Sequence, residues 1–189
     1  LWDERRHRLL LARDRLGKKP LLYAEAGGRL SFASEFRPLL LDPDLSRELD
    51  VRALDHYLTY LAIPAPMSIY RSIRKLPPAH LLIYEGGSIR LQRYWELDFS
   101  SQLSISENEA AEQILALLRD AVRKRLVSEV PLGALLSGGV DSSIVVALMA
   151  QLLNRPVKTF SIGFDEVEYD ELPHARRVAH PPRPAPGRR

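Results

Sequence analysis

Short apolar runs separated by polar turns fill much of the first hundred residues, a pattern that is typical of β-strands. Five such runs lie at 9–11, 21–24, 30–33, 80–84 and 89–95. The glycine pairs Gly27–Gly28 and Gly86–Gly87 each separate two neighbouring runs. Both positions of such a pair tolerate the positive φ angles of a tight hairpin turn. This part of the chain is therefore predicted to be β-rich, with two hairpins.

Apolar residues at helical spacing predict two longer helices. The first covers Val51–Leu61, with Asp50 as its N-cap, and the proline at Pro64 is expected to end it. The second begins after Ser106, where Glu109 completes the capping-box pattern of serine and glutamate three residues apart. The polar, serine-rich stretch 99–105 before it is predicted to be a linker.

The last third of the chain has the order strand, turn, helix, strand. Gly133–Leu136 is an apolar run, a helix-forming stretch covers Asp141–Leu153, and a second run covers Val157–Gly163. This order predicts a βαβ unit, and hence a parallel sheet with a right-handed crossover. The predicted fold class is thus α+β in the first part and α/β in the second.

Charge and composition exclude several classes of protein. The 189 residues contain 27 Lys+Arg and 24 Asp+Glu, but five arginines follow Ala175 with no acidic residue, so residues 1–175 carry a net charge of −2. The basic excess therefore does not indicate a nucleic-acid-binding surface. No apolar run reaches the roughly 18 residues that a membrane span needs. The chain has no cysteine, which excludes disulfides, thiolate metal sites and a cysteine nucleophile within it.

The segment Ser137–Ser143, with the sequence SGGVDSS, lies between the predicted strand and helix. Its glycines allow a sharp turn and a close approach of backbone amides to an anion, and the serines add hydroxyl donors. The start of the following helix favours negative charge, so phosphate or pyrophosphate is the predicted ligand. No lysine follows the glycines, which separates the segment from the GxxxxGK[ST] loop. The alternative is a simple helix start with Asp141 or Ser142 as N-cap.

This segment resembles the PP-loop of the N-type ATP pyrophosphatases, and its flanks resemble glutamine-hydrolysing asparagine synthetases. The matching blocks run in order over Leu1–Ala179. The blocks are Arg13–Leu21, Phe32–Glu35, Ile69–Tyr70, Lys75–His80, Tyr94–Trp95, Val130–Gly133, Phe160–Asp165 and Tyr169–Glu171. The resemblance implies part of an N-terminal-nucleophile glutaminase domain at 1–98 and the start of a PP-loop ATP pyrophosphatase domain at 106–179.

Members of that family adenylate the side chain of aspartate with ATP and Mg²⁺ and then amidate it with ammonia released from glutamine. The resemblance therefore implies aspartate, glutamine and ATP as small-molecule partners, with no nucleic acid and no membrane, and a cytoplasmic location. It leaves a homodimer open for the full-length form. Asp141 is the expected Mg²⁺–pyrophosphate contact. The implied nucleotide-binding residues are Leu135, Ser137, Gly138, Gly139, Asp141, Ser142, Ser143 and Ile162.

The chain also departs from the family pattern. The family's glutaminase nucleophile is an N-terminal cysteine, whereas this chain begins at Leu1 and has no cysteine, so no catalytic residue is assigned in the glutaminase half. We therefore expect a fragment that is inactive alone. The Pro/Arg-rich tail 180–189 is expected to be an unfolded, frameshifted or truncated end, with a polyproline or basic peptide ligand as the alternative. Two other functions stay open: a nucleotide-binding remnant without catalysis, and another PP-loop amidotransferase or amide or β-lactam synthetase.

Overall fold

A computed structural model describes residues 1–180, so nearly all of the predicted tail 180–189 lies outside the described residues. The chain forms two compact units, Leu1–Gln102 and a second unit that begins at Leu103. The boundary lies within the segment 99–105. No helix among residues 1–180 combines the length and the apolar character needed to cross a membrane.

The first unit contains two antiparallel sheets. One has the strand order β1-β2-β6-β7 and the other the order β4-β3-β5. Leu11 and Leu82 of the first sheet share a buried cluster with Tyr23 of the second, so the two sheets pack on each other. The strands are β1 Trp2–Asp3, β2 Arg8–Ala12, β3 Leu22–Ala26, β4 Arg29–Ala33, β5 Ile73–Lys75, β6 His80–Glu85 and β7 Ser88–Arg93.

The two predicted hairpins are confirmed. Gly27 and Gly28 have φ angles of 57° and 73° and connect the paired residues Ala26 and Arg29 at the ends of β3 and β4. Gly86 and Gly87, with φ angles of 56° and 75°, connect β6 to β7 in the same way. Positive φ at both turn positions is what a two-residue hairpin turn requires, which explains the choice of glycine.

The first unit also has two helices, α1 Phe36–Leu39 and α2 Val51–Tyr60. The Asp50 carboxylate accepts a hydrogen bond of 3.0 Å from the backbone N–H of Arg52, as expected of an N-cap. The predicted end of α2 at Leu61 is correct to within one residue, but its predicted cause is wrong. The helix stops at Tyr60 because Leu61 adopts the left-handed conformation, with φ 53°, and its N–H bonds to the carbonyl of Tyr57. Pro64 therefore lies beyond the helix end and does not cause it.

The second unit contains three helices and a parallel strand pair within its described residues. Its elements are α3 Glu107–Arg125, β8 Gly133–Leu135, α4 Val140–Leu152, β9 Lys158–Phe160 and α5 Leu172–Ala179. Strands β8 and β9 pair in parallel, with Ala134 opposite Thr159, and α4 connects them. The capping box of α3 is formed: the Ser106 hydroxyl accepts from the N–H of Glu109, and the Glu109 carboxylate accepts from the N–H of Ser106.

Two buried clusters hold the second unit together. Val122 of α3 packs on Leu148 and Met149 of α4. Leu136, Val146 of α4 and Ala175 of α5 form the other cluster, so α5 lies beside the segment that follows β8. The apolar residues of α3 are buried only toward its C-terminal end, where Val122 lies, because Ile114 and Leu117 are exposed.

Candidate functional site

The Ser137–Ser143 segment, called the loop below, consists of the connection from β8 to α4 and the first turn of α4, and it packs against α5 at Gly138. Gly138 has a φ of 86°, a left-handed conformation that other residues rarely adopt. A Cβ atom at this position would lie 2.5 Å from the backbone nitrogen of Ala175. Gly138 is thus required both by the backbone conformation and by the close approach of α5, which places the start of α5 beside the loop.

The serine hydroxyls of the loop hydrogen-bond within the loop itself. Ser143 Oγ donates to the carbonyl of Gly139 at 2.7 Å, and Ser142 Oγ donates to the same carbonyl at 3.2 Å. Ser137 Oγ lies 3.0 Å from Ser142 Oγ and accepts from the N–H of Gly139. These hydrogen bonds stabilise the conformation of the loop. The expectation that these hydroxyls add donors for a phosphate stays a prediction.

The N-cap of α4 is Gly139, with no side-chain capping bond. Asp141 and Ser142 lie inside the first turn, so the alternative that either of them caps the helix is wrong. The first N–H groups of any helix have no acceptor within it, and among the described residues a side chain accepts here only from the N–H of the N-cap residue Gly139, through Ser137 Oγ. An anion is therefore best received by backbone N–H groups at the start of α4, with the positive end of the helix dipole behind them.

A cavity of about 320 Å³ opens beside this loop. Its size lies within the range of roughly 300–1,000 Å³ that is usual for small-molecule sites. It brings together four residues that were predicted from the sequence: Leu135, Ser137, Ser142 and Ile162. The other predicted residues, Gly138, Gly139, Asp141 and Ser143, belong to the loop but not to the cavity lining. The remaining lining residues are Leu136, Phe160, Ser161, Phe164 and Glu171.

Apolar side chains form one wall of the cavity. Leu135, Phe160 and Ile162 are 76%, 60% and 72% exposed, which is unusual for large apolar residues at the ends of paired strands. Phe164 adds a second aromatic ring. Such a wall suits a flat apolar group such as a nucleotide base. The Ser161 hydroxyl donates to the carbonyl of Leu136 at 2.6 Å and fixes the segment after β9 against the segment after β8.

Sequence reasoning missed Phe160, Phe164 and Glu171 as lining residues. Phe160, Ile162 and Phe164 are spaced two apart, and this alternation along an extended segment could have placed all three on one side. Glu171 lies in the matching block Tyr169–Glu171, but the sequence did not place it at the cavity, because its position depends on where α5 packs.

The described residues contain no group of three or more His, Asp or Glu side chains that could hold a metal ion by themselves. Asp141 is exposed in the first turn of α4. Magnesium in nucleotide sites is usually held by one or two carboxylates together with substrate phosphates. A lone aspartate beside an anion-receiving helix start fits that mode, in which the metal arrives with its phosphates.

In the first unit, the Arg13–Leu21 block is a structural network of hydrogen bonds. The guanidinium of Arg13 donates to the carbonyls of Lys19, Gly17 and Leu76 at 2.6–3.0 Å. The Asp14 carboxylate accepts from the N–H groups of Leu16, Lys18 and Lys19. The bonds from Lys18 and Lys19 are the main cause that holds the pKa of Asp14 below its ordinary value. This block therefore orders the turn after β2.

Lys75 lies near this network at the end of β5. Its Nζ donates to the carbonyl of Ile63 at 2.6 Å. Partial burial lowers the pKa of Lys75, and the nearby positive charge of Arg13 lowers it further. The chain has no cysteine, so these groups have no cysteine nucleophile beside them.

Comparison with known proteins gives two family matches and a set of curated relatives. Residues 1–95 match the family of the glutamine amidotransferase domain, and residues 113–181 match the asparagine synthase family. The chain is 34% identical over 171 residues to glutamine-hydrolyzing asparagine synthetase 3 of Bacillus subtilis. It is 36% identical over 183 residues to a putative glutamine-hydrolyzing asparagine synthetase 2 of Methanocaldococcus jannaschii, and 32% over 198 residues to the amidase chyE of Penicillium rubens.

These alignments cover most of this chain but a minor part of each relative. They include 88%, 94% and 95% of the chain, against 28%, 35% and 29% of the three relatives in the same order. The chain thus spans about a third of the length of the relatives it matches.

Proposed function

This chain belongs to the glutamine-hydrolysing asparagine synthetase family, and we propose on that basis that its second unit binds ATP for the activation of a carboxylate. Residues 106–179 then form the start of a PP-loop ATP pyrophosphatase domain, and residues 1–98 form part of the glutaminase domain. The matches at 113–181 and 1–95 support both assignments.

One observation carries the proposal: the cavity has an apolar wall and borders an anion-receiving loop. The base would lie against Leu135, Phe160 and Ile162, and the phosphates would lie at the start of α4, near Ser137–Ser143. The apolar wall and the anion-receiving loop therefore lie in the same order as the base and the triphosphate of ATP. The lack of a lysine in the loop suits a pyrophosphate that leaves as a unit.

The proposed chemistry has two displacements. A carboxylate oxygen of aspartate attacks the α-phosphorus of ATP, and the bond to pyrophosphate breaks. Ammonia then attacks the activated carbonyl carbon, and AMP leaves with the electron pair of the acyl C–O bond. The first step is needed because a free carboxylate is a poor acyl donor. Backbone N–H groups at the start of α4 would stabilise the charge on the departing pyrophosphate.

Magnesium, when bound with the nucleotide, would neutralise part of the phosphate charge. Asp141 is the residue of this loop that can hold it, because a carboxylate oxygen is a preferred ligand and Asp141 lies in the first turn of α4. Ammonia would come from glutamine through the glutaminase domain. That step requires a nucleophile that these 189 residues do not contain, so we expect no ammonia release by this chain alone.

The ATP proposal is tested by calorimetric titration of the 189-residue chain with ATP and with AMP, with and without Mg²⁺. We expect saturable ATP binding that Mg²⁺ strengthens. The Asp141→Asn variant should lose that strengthening while its affinity for AMP, which lacks the β- and γ-phosphates, stays unchanged. Asp55→Asn, at an exposed aspartate of α2, is the matched control. Absence of ATP binding, or an Asp141→Asn variant with unchanged Mg²⁺ dependence, would contradict the proposal.

The similarity to the amidase chyE favours a second candidate, in which the same nucleotide chemistry activates a carboxylate other than that of aspartate. The two candidates differ in the acceptor and not in the ATP site. The two candidates are distinguished by trapping the acyl-adenylate with hydroxylamine. The assay uses a form of the protein that consumes ATP. Hydroxamate formation with aspartate alone supports the first candidate, and formation with other carboxylic acids but not aspartate supports the second.

A further inference from the structure

Glu171 contributes the only carboxylate among the residues that line the cavity of the second unit. It is the N-cap residue of α5, yet its side chain makes no capping hydrogen bond. Among the described residues its carboxylate also forms no ion pair. Its main-chain carbonyl, and not its side chain, takes part in the hydrogen bonds of α5, since it accepts from the N–H groups of His174 and Ala175. The side chain is therefore available to a ligand in the cavity.

Two glycines that lie close to α5 and the residues before it, one against backbone atoms and one against side chains, place Glu171 between the loop and the apolar wall. On one side, Gly138 packs against His174 and Ala175, which follow Glu171 by about one helical turn, or roughly 5.4 Å. On the other side, Gly163, next to Ile162, packs against Leu172 and Asp170, the two sequence neighbours of Glu171. The region expected to receive phosphates and the region expected to receive the base thus flank this residue.

Electrostatics limits what Glu171 can bind. A carboxylate repels phosphate groups, so it disfavours a phosphate within its own reach. No second and third acidic or histidine side chain joins it in a metal-binding group within residues 1–180, and a metal that arrives with the phosphates is already assigned to Asp141 at the start of α4. A nucleotide carries no cationic group at neutral pH, so the partner that it can offer Glu171 is a neutral hydrogen-bond donor, for which a carboxylate is a strong acceptor. In a nucleotide, the part between base and phosphates is the ribose, whose hydroxyl groups are such donors.

We propose that the Glu171 carboxylate accepts a hydrogen bond from a ribose hydroxyl of the bound nucleotide, and that it thereby selects ribonucleotides over deoxyribonucleotides. This inference rests on the proposed ATP site and names a specificity residue within it. A hydrogen bond to a charged group contributes enough to predict a difference in affinity of about tenfold or more.

The test is calorimetric titration of the 189-residue chain with Mg²⁺ and three nucleotides: ATP, 2′-deoxy-ATP and 3′-deoxy-ATP. We expect the chain to bind ATP about tenfold or more tightly than at least one deoxy analogue. Glu171→Ala should reduce that ratio to near one. Glu171→Gln, which keeps an acceptor oxygen, should retain part of it. Glu168→Ala, at an exposed glutamate outside the cavity lining, should keep the full ratio.

The outcomes separate this inference from the ATP proposal. If the unmodified chain binds all three nucleotides equally, or if Glu171→Ala keeps the discrimination, the role of Glu171 is wrong while the ATP site stands. If the chain binds no nucleotide, both are wrong. The comparison of nucleotides on the unmodified chain needs no substitution, and circular dichroism shows whether each variant is folded. If Glu171→Ala is unfolded, the test rests on Glu171→Gln and on the ratio of the affinities of the unmodified chain for ATP and for the deoxy analogues.

Discussion

Gly138 is the residue on which the geometry of the Ser137–Ser143 loop depends most. It combines a φ of 86° with a backbone approach to α5 that leaves no room for a side chain. Its neighbour Gly139 differs in both respects, since it has a φ of −68° and a Cβ there would lie 3.4 Å from Ser137 Oγ. The two glycines look equivalent in the sequence, but the structure separates their roles, because Gly138 alone of the two has a positive φ and packs against α5.

Gly138→Ala is expected to destabilise the second unit and to weaken ATP binding. The left-handed conformation alone costs a non-glycine residue about 1–2 kcal/mol, and the overlap with α5 adds to it. The expected result is a lower melting temperature by circular dichroism and a weaker affinity by calorimetry. Gly139→Ala is the matched control and should change both much less. A Gly138→Ala variant that melts and binds like the unmodified chain would show that the loop does not need this glycine.

Side chains contributed by distant elements were the hardest part of the site to predict. Ser137, Ser142 and Ile162 could be identified from the motif and its flanking blocks, because local signals and a family resemblance mark them. Glu171 also lies in a flanking block, but its place in the cavity could not be predicted, because that place results from α5 packing beside the loop through Ala175. The hydrogen bonds of the serine hydroxyls within the loop could not be predicted from the sequence either, since they depend on the loop conformation.

At the scale of elements, α3 shows how completely a local signal can specify a helix start. Ser106 and Glu109 exchange both hydrogen bonds of a capping box. These bonds, first from the backbone N–H of Ser106 and then from its hydroxyl, lower the pKa of Glu109. The ionised form of Glu109 is thus favoured in the folded state.

A pH dependence follows from this lowered pKa. The contribution of Glu109 to helix stability is complete at pH values above the ordinary pKa of glutamate, about 4.3, and is lost as the pH falls through the lower pKa of the folded state. Glu109→Gln should therefore weaken α3 at pH 7, and its difference from the unmodified chain should shrink toward pH 3. Far-UV circular dichroism during urea unfolding measures this. Glu107→Gln, in the same turn but outside the box, should lack the pH-dependent difference.

Other elements were poorly marked in the sequence. β1 and β5 have two and three residues, which is too short for an alternating pattern to be recognised. The cause of the end of α2 was predicted wrongly because a proline is an obvious stop signal, whereas the left-handed conformation of Leu61 has no sequence signature. The hairpins were predicted correctly because glycine pairs specify both the turn and its register.

At the scale of the whole molecule, the chain consists of two compact units joined within 99–105. This segment lies outside helices and strands, and its apolar residues Phe99 and Leu103 are 80% and 73% exposed. The polar and serine-rich composition was sufficient to predict a linker here. It could not reveal that large apolar side chains in it are open to solvent.

Limited digestion with chymotrypsin is expected to cut first between residues 97 and 103, since exposed, irregular backbone is the preferred site of proteolysis. Mass spectrometry of the early products should show two fragments that meet there. Replacing Leu97, Phe99 and Leu103 with serine should slow this first cut. Early cleavage inside a strand or helix of either unit, with the serine variant digested at the same rate, would argue against two stable units.

Photolabelling of the 189-residue chain with 8-azido-ATP tests most directly whether the cavity of the second unit holds the nucleotide. The reactive group is on the base, so the label reports where the base lies. We predict labelled peptides that contain Leu135–Leu136 or Phe160–Phe164, with labelling prevented by excess ATP. Labelling confined to residues 1–98, or labelling that excess ATP does not prevent, would contradict the account.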